Sequence, residues 1–106
     1  MGLMKAKMLA AQSKLQSLLD PYELTTGMYV RVYGDHLILG RAETLPGRSA
    51  PENIDRVRLT RLSSSTWGLS VRRHTGRWER TPWSGSMKEM LDTILSLMQH
   101  LVAAYD

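Results

Sequence analysis

The apolar positions along the chain begin with helical spacing, change to strict alternation, and end with helical spacing again. Met4, Met8, Ala11, Leu15 and Leu18 recur at alternating steps of four and three, which stacks them on one stripe of a helix. Leu19 widens that stripe. Pro21 disfavours helical geometry at Asp20, so the spacing predicts a helix over 3–19. From Met28 the period is two: Met28, Val30 and Val32 alternate with Tyr29, Arg31 and Tyr33. Gly34-Asp35 supplies a two-residue turn, which predicts a hairpin over 27–41 with Tyr33 opposite His36 and Arg31 opposite Ile38. Residues 42–53, broken by Pro46-Gly47 and Ser49-Ala50-Pro51, read as the longest loop.

A second antiparallel pair spans 55–62 and 66–74 around Ser63-Ser64-Ser65. Its simplest register sets Leu59 opposite Leu69 and Val57 opposite Val71. The same register sets Arg56 opposite Arg72, a like-charge pair that requires a counter-charge nearby. Thr75-Gly76 reads as a two-residue turn into a last strand, Arg77–Thr81. That turn pairs Arg72 with Glu79 and sends Trp78 to the core, with Arg73 and Arg80 on the nominal core face. Pro82 lacks the donor of a central strand, so this strand lies at an edge or ends there. Ser86-Met87-Lys88-Glu89 is a capping box. It opens a helix predicted to run to about Tyr105, with Met87, Leu91, Ile94, Met98, Leu101 and Tyr105 on its central stripe.

This order implies an α+β fold: a two-layer sandwich in which an antiparallel sheet of about five strands carries the N-terminal and C-terminal helices on one face. Residues 1–106 are too few for two cores, so one domain is expected. Strand order is not legible. Hydrophobic residues make up 42% and charged residues 23%, the composition of an ordinary folded domain rather than a disordered one. Cysteine is absent, which excludes disulfides, thiolate metal sites and a cysteine nucleophile. No apolar run has the length of a signal peptide core or a membrane span. A cytoplasmic protein without membrane association is the expectation.

The net charge of +4 is unevenly spread. Residues 56–80 contain seven arginines and one acid, Glu79, so this segment alone is more positive than the whole chain. Arginine offers a planar donor fork to phosphate or carboxylate and stacks on flat rings, so an anionic partner is implied. On the sheet face opposite the helices the pattern places Tyr29, Tyr33, Arg31, Arg56, Arg58, Arg72 and Arg77. Arginines interleaved with tyrosines suit single-stranded DNA or RNA, where rings stack on bases and charge follows phosphates.

No catalytic arrangement is apparent. His36, His74 and His100 lack ligand spacing, the serines lack a nucleophile elbow, and the glycines form no phosphate-binding loop. No cofactor or metal is implied. The expected function is therefore non-enzymatic binding, with Arg56, Arg58, Arg72 and Arg77 on phosphates and Tyr29, Tyr33 and Arg31 stacking or flanking. The alternative is a protein–protein interaction or assembly subunit that forms a homodimer through the broad C-terminal helix. A third possibility, an enzyme that clamps a phosphorylated metabolite with its arginines, has no general base or nucleophile to support it.

Overall fold

Helix α1 (Leu3–Leu19) opens the computed structural model, which describes residues 2–105. Met1 and Asp106, included in the single domain expected from the sequence, lie outside the described residues. Five strands follow: β1 (Tyr29–Tyr33), β2 (His36–Glu43), β3 (Glu52–Arg61), β4 (Trp67–Arg72) and β5 (Trp78–Gly85). They form one antiparallel sheet in the order β1-β2-β3-β4-β5. Helix α2 (Met87–Leu97) and the single turn α3 (Gln99–Val102) complete the chain. The helices and the sheet make the α+β two-layer arrangement that the periodicities imply.

One apolar cluster fills the space between the layers. It joins Met8, Leu15 and Leu19 of α1, alternate residues of the first four strands, and Met87, Met90, Leu91 and Ile94 of α2. Fully burying one such aliphatic side chain contributes about 1.5–3 kcal/mol. Two glutamines on the polar side of the α1 stripe have a structural role. Gln12 Nε2 donates to the Val30 carbonyl at 2.7 Å, and Gln16 Nε2 donates to the Met28 carbonyl at 2.9 Å. The helix thereby occupies carbonyls of edge strand β1 and its lead-in, groups that would otherwise be open to another chain. Thr25, fully buried, donates its hydroxyl to the Leu19 carbonyl at 2.8 Å and closes the end of α1.

The first two hairpins hold the expected register: Tyr33 faces His36, Arg31 faces Ile38, Leu59 faces Leu69 and Val57 faces Val71. Gly34 supplies the positive φ of 60° at the first position of its two-residue turn. The Ser86–Glu89 capping box is complete in both directions.

The strands run further than expected: β2 to Glu43 and β3 from Glu52 shorten the 42–53 loop, and β5 continues past Thr81 through Pro82 to Gly85, with a register shift between Gly68 and Ser70. Three further features differ from the expectation. The β4–β5 connection is a three-residue loop, His74-Thr75-Gly76, closed by Arg73 N–H to Arg77 C=O and Gly76 N–H to Arg73 C=O, both 2.8 Å. Gly76 takes a φ of 86°, as a type I turn followed by a left-handed residue demands. The added residue slips the pairing by one, so Arg72 faces Trp78 and Val71 faces Glu79. Trp78 and Arg80 therefore leave the core side, and Arg73 ion-pairs with Glu79 beside the loop.

Second, a β-bulge interrupts β3 opposite Leu39 and Gly40: Leu39 faces Val57, but Gly40 faces Asp55. Arg56 is the extra residue, and it turns to the helix side. Third, the last helix breaks at Met98, whose backbone lies at φ −128°, ψ 28°. The break redirects the chain so that Val102 is buried. It also presents the Leu101, Val102 and Ala103 carbonyls to Arg56 and Arg41 at 2.9–3.1 Å. Pro82 does lie in edge strand β5, and the Thr81 hydroxyl donates to the Leu69 carbonyl at 2.8 Å beside it.

Replacing Gln12 and Gln16 together by alanine removes both edge hydrogen bonds. A loss of about 1–2 kcal/mol in urea unfolding is expected. Unchanged stability would show that β1 does not depend on the glutamines.

Candidate functional site on the uncovered sheet face

The sheet face turned away from the helices is organised in cross-strand rows. The central row reads Arg31, Ile38, Arg58, Ser70, Arg80 from β1 to β5. Ile38 and Ser70 are buried in it, while Arg31 and Arg80 are exposed at its two ends. Ile38 belongs to no part of the core cluster, so its burial comes from neighbours on this face.

On one side of that row, Tyr33 and His36 face each other with ring centroids 6.4 Å apart and planes 20° from parallel. Tyr33 is 66% exposed. His36 Nδ1 lies 2.8 Å from the Thr60 hydroxyl, and its Nε2 lies 3.2 Å from Asp35. Burial and the nearby Arg58 charge push the His36 pKa below its ordinary 6.5, against the pull of Asp35. The imidazole is therefore neutral near pH 7 and presents a flat ring.

On the other side stands Asp55, which the bulge brings to this face. Its carboxylate accepts from the Tyr29 hydroxyl at 2.5 Å, from Arg31 Nη2 at 2.6 Å and from Arg72 Nη1 at 3.4 Å. Burial alone would raise the Asp55 pKa. The hydrogen bonds from Arg31 and Tyr29, with the charges of Arg31 and Arg72, outweigh it and hold the carboxyl below its ordinary 3.8. The Tyr29 phenol is pushed well above its usual range, first by burial and then by the Asp55 hydrogen bond and charge. Gly40 makes this geometry possible. A Cβ there would stand well inside 3.0 Å of both the Tyr29 hydroxyl and the Ile54 carbonyl oxygen, closer than a real side chain can approach.

Trp78 completes the face. The Arg58 guanidinium lies 4.9 Å and that of Arg72 5.3 Å from its ring, so both cations stack on one indole. Burial lowers the Arg58 pKa, with Arg80 adding to the effect and Asp35 opposing it.

Of the residues singled out from the sequence, Arg31, Arg58, Arg72, Tyr29 and Tyr33 do share this face. Two others do not join them. Arg56 is buried on the helix side, with Nη1 on the Leu101 and Ala103 carbonyls and Nη2 3.5 Å from Glu43. Arg77 lies just outside β5, exposed beside the hairpin loop, because the third loop residue sets it opposite Arg73 and off the row it was expected to join. Tyr29 is tied to Asp55 rather than free to stack. Sequence reasoning missed Asp55, Trp78 and Arg80. The signal for the latter two was the triplet His74-Thr75-Gly76, which suits a three-residue loop as well as Thr75-Gly76 suits a two-residue one.

Among the described residues no group of three or more His, Asp or Glu converges as metal ligands, and no helix is long and apolar enough to cross a membrane. No protein-family model, curated protein or solved structure matches the chain.

Two variants test how the face is held together. Gly40→Ala forces apart the Tyr29 ring and the Ile54 backbone and is expected to destabilise the fold by about 2–3 kcal/mol in chemical denaturation. A neutral substitution would contradict the close approach. Asp55→Asn leaves Arg31 and Arg72 without their carboxylate and is expected to cost about 1–3 kcal/mol at pH 7. A depressed folded pKa stabilises above the unfolded value of 3.8, and this contribution is lost as the pH falls through the folded value. Stability curves of the two proteins should therefore converge below that pH. Parallel curves down to acid unfolding would remove Asp55 as the centre of the network.

Proposed function

We propose that the uncovered face binds single-stranded nucleic acid, as a module that holds its ligand without chemistry. One observation carries this reading: the Arg31–Arg58–Arg80 row is flanked by the Tyr33–His36 ring pair on one side and by Trp78 on the other. A sugar–phosphate backbone following the row meets three guanidinium groups, while its bases meet rings to either side. Among the described residues Asp55 is the one acid in these rows, and it is already shared by Arg31 and Arg72. The interactions are with phosphates and ring faces, so little sequence preference is expected. Arg72 belongs to the face through its stacking on Trp78.

A homodimer through the last helix draws less support. Met87, Met90, Leu91 and Ile94 of α2 are spent on the chain's own core, and Leu97 is the large apolar residue of that helix left exposed. A mass that rises with concentration in sedimentation would favour the dimer.

Fluorescence anisotropy with labelled single-stranded and duplex oligonucleotides, at two salt concentrations, tests the proposal. Tighter, salt-sensitive binding of the single strand is expected. Arg58→Ala/Arg80→Ala should lower the slope of log affinity against log salt by about 1.4, close to 0.7 for each phosphate no longer neutralised. Tyr33→Ala should cost about 1–3 kcal/mol by removing one stacking ring. No binding at low salt would end this assignment.

A further inference from the structure

At one end of the sheet the start of β3, the β4–β5 loop and α3 enclose a cleft of about 430 Å³. Arg56, Arg72, Arg73, His74, His100 and Tyr105 are among its lining residues. Arg56 distinguishes this cleft from an ordinary surface hollow. Its side chain is 7% exposed, and Nη1 is used by the Leu101 and Ala103 carbonyls. Nε and Nη2 make no hydrogen bond among the described residues. These two nitrogens form one edge of the guanidinium plane, the edge that takes two oxygens of a single anion side by side. Glu43 stands 3.5 Å from Nη2 and balances its charge without hydrogen bonding to it, and Glu43 Oε2 accepts instead from the Tyr105 amide at 3.0 Å. A buried donor edge that makes no hydrogen bond, with a carboxylate only at ion-pair distance from one of its two nitrogens, is costly, which marks this one as prepared for an acceptor.

The other donors converge from different directions. Arg73 and His74 stand on the exposed hairpin loop, and His100 on α3. Arg72 and Arg73 each have one carboxylate partner, Asp55 and Glu79, and a guanidinium carries more donors than one such pair consumes. The Tyr105 ring centroid lies 4.3 Å from the Arg56 guanidinium carbon and the residue is half exposed, so it forms an outer wall of the cleft.

We propose that the cleft binds a phosphate monoester. The Nε–Nη2 edge of Arg56 takes two oxygens, and Arg73 and His74 take the third. Donors arriving from several sides suit the three terminal oxygens of a monoester, whereas a carboxylate offers two in one plane. The cleft shares Asp55 and Arg72 with the sheet face, so the monoester has two sources: the terminal phosphate of a bound strand, or a small free phosphate ester. The cleft's geometry holds whether or not the sheet face binds a strand.

The test is an amide NMR titration of the full chain with inorganic phosphate, followed by anisotropy with 5′-phosphorylated and 5′-hydroxyl single strands. Saturable shifts at His74, Gly76, His100 and Leu101 are expected with phosphate. Arg73→Ala/His74→Ala, which alters exposed residues at the hairpin loop and frees Glu79, should weaken that binding by roughly tenfold. Arg56→Lys keeps the charge but removes the fork and should abolish saturation, with a retained amide spectrum as the check on folding. A phosphorylated strand that binds more tightly than its hydroxyl counterpart, by a margin the double variant erases, identifies the strand end as the source. Equal strand affinities with saturable free phosphate identify a small ester. Phosphate saturation with no strand binding would leave the cleft assigned and end the sheet-face reading. Absent or non-saturating shifts in tens of millimolar phosphate, or undiminished binding in both variants, would overturn the cleft proposal.

Discussion

A single bulged position in β3 decides that Asp55 faces outward and Arg56 faces the helices, the reverse of plain alternation from Val57, and much of the molecule is arranged around that choice. Asp55, turned outward, becomes the carboxylate on which Tyr29, Arg31 and Arg72 converge. Arg56, turned inward, holds the carbonyls at the end of α3 and faces Glu43. Without the bulge, alternation would set Arg56 beside Arg72 and leave two guanidinium groups in contact with no acid between them. The bulge removes that repulsion and supplies the counter-charge in one step.

The split has a cost that neighbouring residues meet in part. A buried guanidinium and carboxylate lose hydration, and their mutual attraction offsets this only when further polar groups join them. Glu43 obtains the Tyr105 amide, and Arg56 obtains two carbonyls and the face of the Tyr105 ring. Arg41 works in parallel from β2, donating to the carbonyls of Val102, Thr26 and Leu24. Residues 101–105 are thus held to the sheet by polar groups, where an uninterrupted helix would have carried its last turn past them. On the other face Gly40 leaves room for the Tyr29 phenol to reach Asp55. The bulge, the glycine and the broken helix are parts of one packing solution.

Much of the fold was legible because its signals are local. The α1 stripe from Met8 onward, the Gly34-Asp35 turn and the Ser86–Glu89 box each involve residues a few positions apart, and each formed as read, while Met4 at the head of the stripe is exposed. The Leu59–Leu69 and Val57–Val71 pairs followed from keeping apolar side chains on one face. The candidate face was legible in part. Arg31, Arg58 and Tyr33 follow from alternation within strands whose register is pinned by the core. Arg56, Trp78 and Arg80 were misplaced for a shared reason: in a strand of period two, one additional residue exchanges the faces of everything beyond it. The extra residue in the His74–Gly76 loop and the bulge at Arg56 are each such an insertion.

From the sequence alone came the kinds of element, their order, the two-layer class and the concentration of arginine in the second half of the chain. These depend on periodicity and on short-range turn and cap chemistry, which are properties of neighbouring residues. The tertiary structure alone decided which arginines face outward, which carboxylate they share, where the last helix breaks and how the β1 edge is closed. Those outcomes arise from competition between groups distant in sequence: Arg56 for the Leu101 and Ala103 carbonyls, Asp55 for Tyr29 and Arg31, and Gln12 for Val30. A buried polar group is costly without a partner, and which partner lies within reach is known only once the strands are laid side by side.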